Sequence, residues 1–206
     1  MNRETDVEDE LVQLATDAPD SLVAVVCSGQ NVDRLVSCYK AARRSGRDLV
    51  VDPYQAYILR ELAPLSRSIP QFEWEHVLVC FAPHQVERLK QAGLMQLVYA
   101  MRDAGKVSTD QLAEQPGRYL MSTRSGYGLT KVFDKVGAEC VELVWSLWSG
   151  YWNRDGCAMR EWAEKHSTNV HFIHSGGHAW PEDLARLTDA ISAKQTIVVH
   201  TEAGQQ

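Results

Sequence analysis

The chain has 206 residues and a formal net charge of −6, with 45% hydrophobic and 23% charged residues. That length builds one large α/β domain or two joined lobes, and the acidic balance excludes gripping nucleic acid by overall charge, so any phosphate contact must be local. No apolar run approaches the roughly 18 residues of a membrane span, the N-terminus MNRETDVEDELVQ lacks an apolar signal region, and five scattered cysteines without CxxC fit a reducing, cytoplasmic setting rather than a disulfide framework or zinc ribbon.

Strand-like apolar runs alternate with helical periodicity along the chain. Residues 21–27 (SLVAVVC) read as a buried strand. Residues 31–45 place Val32, Leu35, Val36, Tyr39 and Ala42 on one helical face, and Gly46 is a natural stop. The basic group Lys40, Arg43, Arg44 and Arg47 reads as a solvated last helical turn. Residues 48–51 are the next strand. Asp52 then caps a helix with Pro53 at its first position and Tyr54, Tyr57, Ile58 and Leu62 facing inward.

Residues 76–82 form a strand, and Pro83 opens a helical stretch towards Leu97. Residues 108–115 are a short polar helix, 118–123 a strand, and RSGYG (124–128) a loop. Residues 139–147 are a strand ending at a Ser149–Gly150 turn; Trp145 and Trp148 read as packing residues. A helix over 155–166, a strand over 169–174, a helix from Pro181 and a last strand over 195–199 complete the pattern. Repeated β-α-β order with continuous apolar strands predicts an α/β fold, a mostly parallel sheet with helices on both faces. Ligands in such sheets sit at the carboxyl ends of the strands.

Three polar clusters stand just past strands. The first is Cys27-Ser28-Gly29-Gln30-Asn31, where small residues and amides leave backbone N–H groups for an anion, or where Ser28 or Asn31 simply caps a helix. Its spacing is neither GxGxxG nor a P-loop. Cys27 itself reads as a buried structural thiol. The second is Ser175-Gly176-Gly177-His178-Ala179, a glycine-rich turn that brings backbone and an imidazole near a ligand, or else an ordinary βα turn. The third is His200, a histidine at a strand end, either a metal ligand or a partly buried structural residue. Five of the seven histidines fall in the last 41 residues. His178 and His200 on consecutive parallel strands would share one crevice.

The stretches VCSGQNVDRLVSCYKAARRSGRDLVVDPYQAYIL (26–59), VELVWSLWSGYWNR (141–154), HFIHSGGHAWPEDLARLTDAI (171–191) and TIVVHTE (196–202) resemble the β-CASP type of metallo-β-lactamase-fold hydrolase, of the ribonuclease J kind. The resemblance implies a β-CASP-like domain over residues 1–166 and the C-terminal part of a metallo-β-lactamase fold over 167–206. It implies that His178 lies near the scissile phosphate as a general acid or transition-state stabiliser, and that His200 ligates zinc. Ser28, Gln30, Asn31, Ser175, Gly176 and Gly177 would then line the phosphate side. The family cuts phosphodiester bonds in RNA, sometimes DNA, with a metal-activated water.

The departures are specific. No HxHxDH occurs, Gly176 stands where relatives often carry serine, and the chain stops soon after His200. The expectation is therefore a partial or split hydrolase, inactive alone, whose zinc motif comes from a separate chain or a missing segment. RNA or another single strand is its expected partner, with self-association left open. The alternative is a non-catalytic nucleotide- or RNA-binding α/β module.

Overall fold

The computed structural model describes residues 3–176, 179, 181–195 and 197. The chain divides into two compact units at residues 175 and 176. The first unit holds seven strands: β1 (Leu22–Val26), β2 (Asp48–Val51), β3 (Val77–Cys80), β4 (Lys106–Val107), β5 (Tyr119–Thr123), β6 (Val141–Trp145) and β7 (Val170–Phe172). They form one sheet in the order β4-β3-β2-β5-β1-β6-β7, and every pairing is parallel. The expected fold class is the observed one. β7 pairs with β6, so the sheet of the first unit runs past residue 166.

Nine helices belong to this unit: α1 (Glu4–Asp17), α2 (Val32–Arg44), α3 (Pro53–Leu62), α4 (Pro83–Gln91), α5 (Met95–Ala104), α6 (Thr109–Glu114), α7 (Tyr127–Val136), α8 (Ser149–Trp152) and α9 (Ala158–His166). The second unit contributes α10 (Pro181–Ile191). β1, β2 and β5 are buried along their whole length, which is why they read as continuous apolar runs rather than alternating ones. Alternate residues divide between two layers. Ala24, Met121, Leu143 and Trp145 pack with Leu112 of α6, Phe133 of α7 and Trp162 of α9. Val23, Val25, Leu120 and Val144 pack with Leu11 of α1, Cys38 of α2, Ala56 of α3 and Met101 of α5.

Several expectations shift. The acidic N-terminus is a helix, with Val7, Leu11 and Ala15 buried four residues apart on one face. Its acids answer the basic cluster: Arg44 meets Glu8 and Asp9, each at 2.7 Å, and Lys40 lies 3.8 Å from Glu8. α2 is consequently covered on two sides, by the sheet and by α1. Its buried set is Arg34, Leu35, Ser37, Cys38, Ala41 and Ala42, rotated from the predicted stripe. α3 likewise buries Gln55, Ala56 and Leu59, while Tyr54, Tyr57, Ile58 and Leu62 stay half-buried. Gly46 ends α2 as expected, with φ +71°. Gly93, at φ +76°, divides the stretch after Pro83 into two helices. The RSGYG loop closes early, because α7 starts at Tyr127, and the Ser149–Gly150 turn is the first part of α8. Trp145 is buried, but Trp148 is 59% exposed and meets Tyr151 edge-on. Of the predicted last strand, Gln195 and Ile197 are not in a strand and the other residues lie outside the described ones.

Arg47 overturns the solvated reading for its own position. It is 3% exposed, and burial lowers its pKa from the usual arginine value. Its guanidinium donates to the carbonyls of Ser21 (2.6 Å), Tyr119 (3.1 Å), Ala15 and Ala18 (both 2.7 Å). One side chain therefore ties the end of α1 to the amino edges of β1, β2 and β5. Arg47→Leu should cost on the order of 3 kcal/mol, because it leaves buried carbonyls without donors. Urea unfolding followed by tryptophan fluorescence measures this, and a loss below about 1 kcal/mol would contradict the account.

Candidate functional site

The chain runs outward from β1 through β2, β3 and β4, returns to β5 between β2 and β1, and crosses β1 to reach β6 and β7. That reversal opens a crevice at the carboxyl ends of β2, β5 and β1. The first predicted cluster lies there. Asn31 caps α2, its Oδ1 accepting from the Arg34 N–H at 3.1 Å. The Ser28 hydroxyl is exposed and accepts from the Gln30 N–H at 3.3 Å. Gln30 Nε2 donates to Tyr54 Oη at 2.8 Å. A Cβ on Gly29 would stand 3.2 Å from both Arg124 Cδ and Tyr54 Cδ1, so this turn is packed beneath those two side chains. Cys27 is buried, and desolvation pushes its thiol up to about 11, as befits a structural residue.

Ser175 follows β7 half-buried and Gly176 is exposed. Gly177, His178 and His200 lie outside the described residues. Among the described residues, no three of His, Cys, Asp or Glu gather to hold a metal. They do not by themselves make a zinc site.

The centre of the crevice is Asp52, at the end of β2. It caps α3 through Gln55 N–H (2.7 Å), and Gln55 Oε1 accepts from the Asp52 N–H in return (3.1 Å). Its second oxygen accepts from Gln85 Nε2 at 2.8 Å and from Arg124 Nε at 3.2 Å. Gln55 Nε2 reaches Ser122 Oγ at 2.9 Å, and Ser122 touches Cys27 Sγ at 3.3 Å. The Arg124 guanidinium also stacks over the Tyr54 ring, 4.6 Å from its centroid. Beside this network lies a cavity of about 620 Å³, floored by Met121, Leu129 and Val132 and rimmed by Arg88, Arg124 and Lys131.

Sequence reasoning identified Asp52 as a cap and missed Gln85, Arg88, Arg124 and Tyr54 as its neighbours. Arg124-Ser125-Gly126 follows a strand as small polar residues, the same signal that flagged Ser28-Gly29. Gln85 and Arg88 carry no local signal at all.

A second polar group sits at the ends of β6 and β7. Arg34 is fully buried and donates to Glu4 through Nε (3.1 Å) and Nη2 (2.9 Å), and to the Ser146 carbonyl (3.2 Å) and hydroxyl. His174 Nδ1 lies 3.1 Å from the same Ser146 carbonyl. A carbonyl only accepts, so Nδ1 carries the proton and Nε2 holds the lone pair. Burial lowers the His174 pKa below its usual value, and the nearby Arg34 charge adds to this, against the opposing Ser146 hydrogen bond.

Compared with known protein families and with curated proteins, the sequence matches none. Among solved structures, the fold resembles a protein of unknown function from Enterococcus faecalis V583, with a TM-score of 0.59 and 18% identity over 92% of this chain. The chain spans 38% of that protein's chain. The likeness establishes the fold.

The His174 shift fixes the sign of a pH effect. Its folded pKa lies below the unfolded value of about 6.5. The unfolded state therefore binds more protons near that pH, and stability falls as the medium is acidified through it. The contribution is whole above the unfolded pKa. Urea midpoints measured from neutral to mildly acidic pH should decline less in His174→Gln than in the parent, and parallel declines would remove the assignment.

Proposed function

We propose that this chain is the substrate-side half of a split phosphodiesterase of the β-CASP, metallo-β-lactamase kind, and that another polypeptide supplies the HxHxDH half with its zinc. The observation that carries this reading is α10. Leu184, Leu187 and Ile191 stand at helical spacing and are 52%, 55% and 63% exposed, an apolar stripe that follows the Gly-His motif in sequence. Scattered exposed apolar residues need no explanation, whereas a stripe along one helix marks a surface that meets another. The parallel sheet with polar loops at its carboxyl edge supplies the substrate face.

In this reading the partner's HxHxDH residues would hold the metal, which would supply a hydroxide nucleophile when bound. The residues of this chain hold and orient the strand, and His178 delivers or stabilises charge at the phosphate. RNA or a single-stranded nucleic acid is the substrate, held by local contacts because the chain as a whole is acidic.

The purified chain should carry substoichiometric zinc by mass spectrometry and show no turnover of a phosphodiester substrate. Co-expressed with an HxHxDH-bearing chain encoded beside it, it should gain both. In that complex His178→Ala should lower kcat by about a hundredfold without dissolving the assembly. Stoichiometric zinc with turnover in the isolated chain would overturn the split reading.

A further inference from the structure

We infer that the cavity between the N-termini of α4 and α7 binds a small phosphorylated molecule that also presents an N–H or O–H donor, of up to mononucleotide size. This site uses none of the residues given to the hydrolase reading and stands independently of it.

The first argument is charge. In a chain of net charge −6, this cavity gathers Arg88, Arg124 and Lys131 against one carboxylate, Asp52. Arg124 is paired with that carboxylate. Arg88 and Lys131 are exposed and have no ion-pair partner among the described residues. Two unpaired cations at one concave mouth attract and orient an anion.

The second argument is backbone. α7 opens at the cavity with no side-chain cap; the Leu129 N–H bonds back to the Gly126 carbonyl at 3.0 Å, and the helix start still presents its positive end to the cavity. A Cβ at Gly126 or Gly128 would meet nothing within 4 Å, so the approach to that helix start is open. α4 also begins without a side-chain cap, with Pro83 at its first position.

The third argument is independent of both and points to a ligand directly. Gln85 lines the cavity, is 7% exposed, and its Oε1 has no hydrogen-bond partner. Asp52 fixes which way the amide faces. A carboxylate only accepts, so Nε2 must point to Asp52 and the carbonyl must point elsewhere. A buried carbonyl left bare is rare and calls for a donor. A phosphate offers none at neutral pH, so the donor is a hydroxyl or an amine of the same molecule; the oxygen is itself closed to solvent and is met as the Gln85 side chain shifts toward the cavity. The apolar floor of Met121, Leu129 and Val132 accommodates a sugar or base. The volume of about 620 Å³ lies within the range of small-ligand pockets.

Calorimetry on the full chain at low salt tests this with glycerol 3-phosphate, adenosine monophosphate and inorganic phosphate. Glycerate and adenosine serve as controls lacking the phosphate. The two phosphate esters should bind saturably, and the controls should bind at least about tenfold more weakly. Salt should weaken the binding. The double variant R88Q/K131Q alters only exposed side chains, so it should keep the parent's unfolding midpoint and lose about tenfold in affinity. Gln85→Leu should weaken glycerol 3-phosphate while leaving inorganic phosphate unchanged; should that variant fail to fold, the double variant carries the test. No saturable binding of any phosphorylated probe at millimolar concentration overturns the site. Equal affinity of parent and double variant, or of glycerate and glycerol 3-phosphate, overturns it too.

Discussion

The carboxyl edge of this sheet is organised by one buried carboxylate. Asp52 is 5% exposed, yet its two oxygens serve three separate parts of the chain. One oxygen starts α3, and the other holds Gln85 of α4 and Arg124 after β5. A carboxylate taken from water is tolerated only when its lone pairs are met, and here the capping N–H, an amide and a guanidinium meet them. The same bonds decide where α4 starts and which way Arg124 lies, so the shape of the cavity follows from satisfying Asp52.

At the other end of the sheet the polar groups are closed upon themselves. Arg47 spends its guanidinium on four carbonyls. Asp48 accepts from Arg118 Nε at 2.8 Å and lies 2.7 Å from His76 Nδ1. These bonds fasten α1 and the entries of the central strands. Arg34 does the corresponding work for α1 at the carboxyl side, bridging Glu4 to the end of β6, and Ser146 passes the connection to Ile173 after β7. α1 is thus clamped by a buried arginine at each end.

The strands were legible because buried parallel strands are continuous apolar runs, and β2 was bounded to the residue. Helix ends were legible where a cap or a glycine announced them, as at Asp52, Ser108 and Gly46. Faces were not. α2 places Arg34 and Ser37 inside because α1 covers it, and nothing in the α2 sequence announces a second neighbour. α1 itself has the spacing Val7, Leu11 and Ala15, but its acidic face finds its purpose only in Arg44 and Lys40 opposite Glu8. In the site, Ser28, Gln30 and Asn31 were placed at the right edge by their position after a strand. Gln85 and Arg124 could not be found the same way, because they meet Asp52 across separations of 33 and 72 residues.

The company that one unpaired carbonyl keeps bears on which end of the sheet is functional. A fold selected for stability alone has reason to satisfy every buried polar atom, and the amino edge does so at Arg47 and Asp48. The carboxyl edge gathers Asp52, Gln55, Gln85, Ser122 and Thr123 in burial, then leaves the Gln85 carbonyl without a partner in the wall of a cavity that holds unpaired cations. Gln71, His166 and Thr168 also keep a buried atom without a hydrogen-bond partner, the last two just before β7, but none of the three lines this cavity. A local violation of the satisfaction rule, placed where strand order reverses and where charge and helix ends converge, is what a ligand site looks like before its ligand arrives.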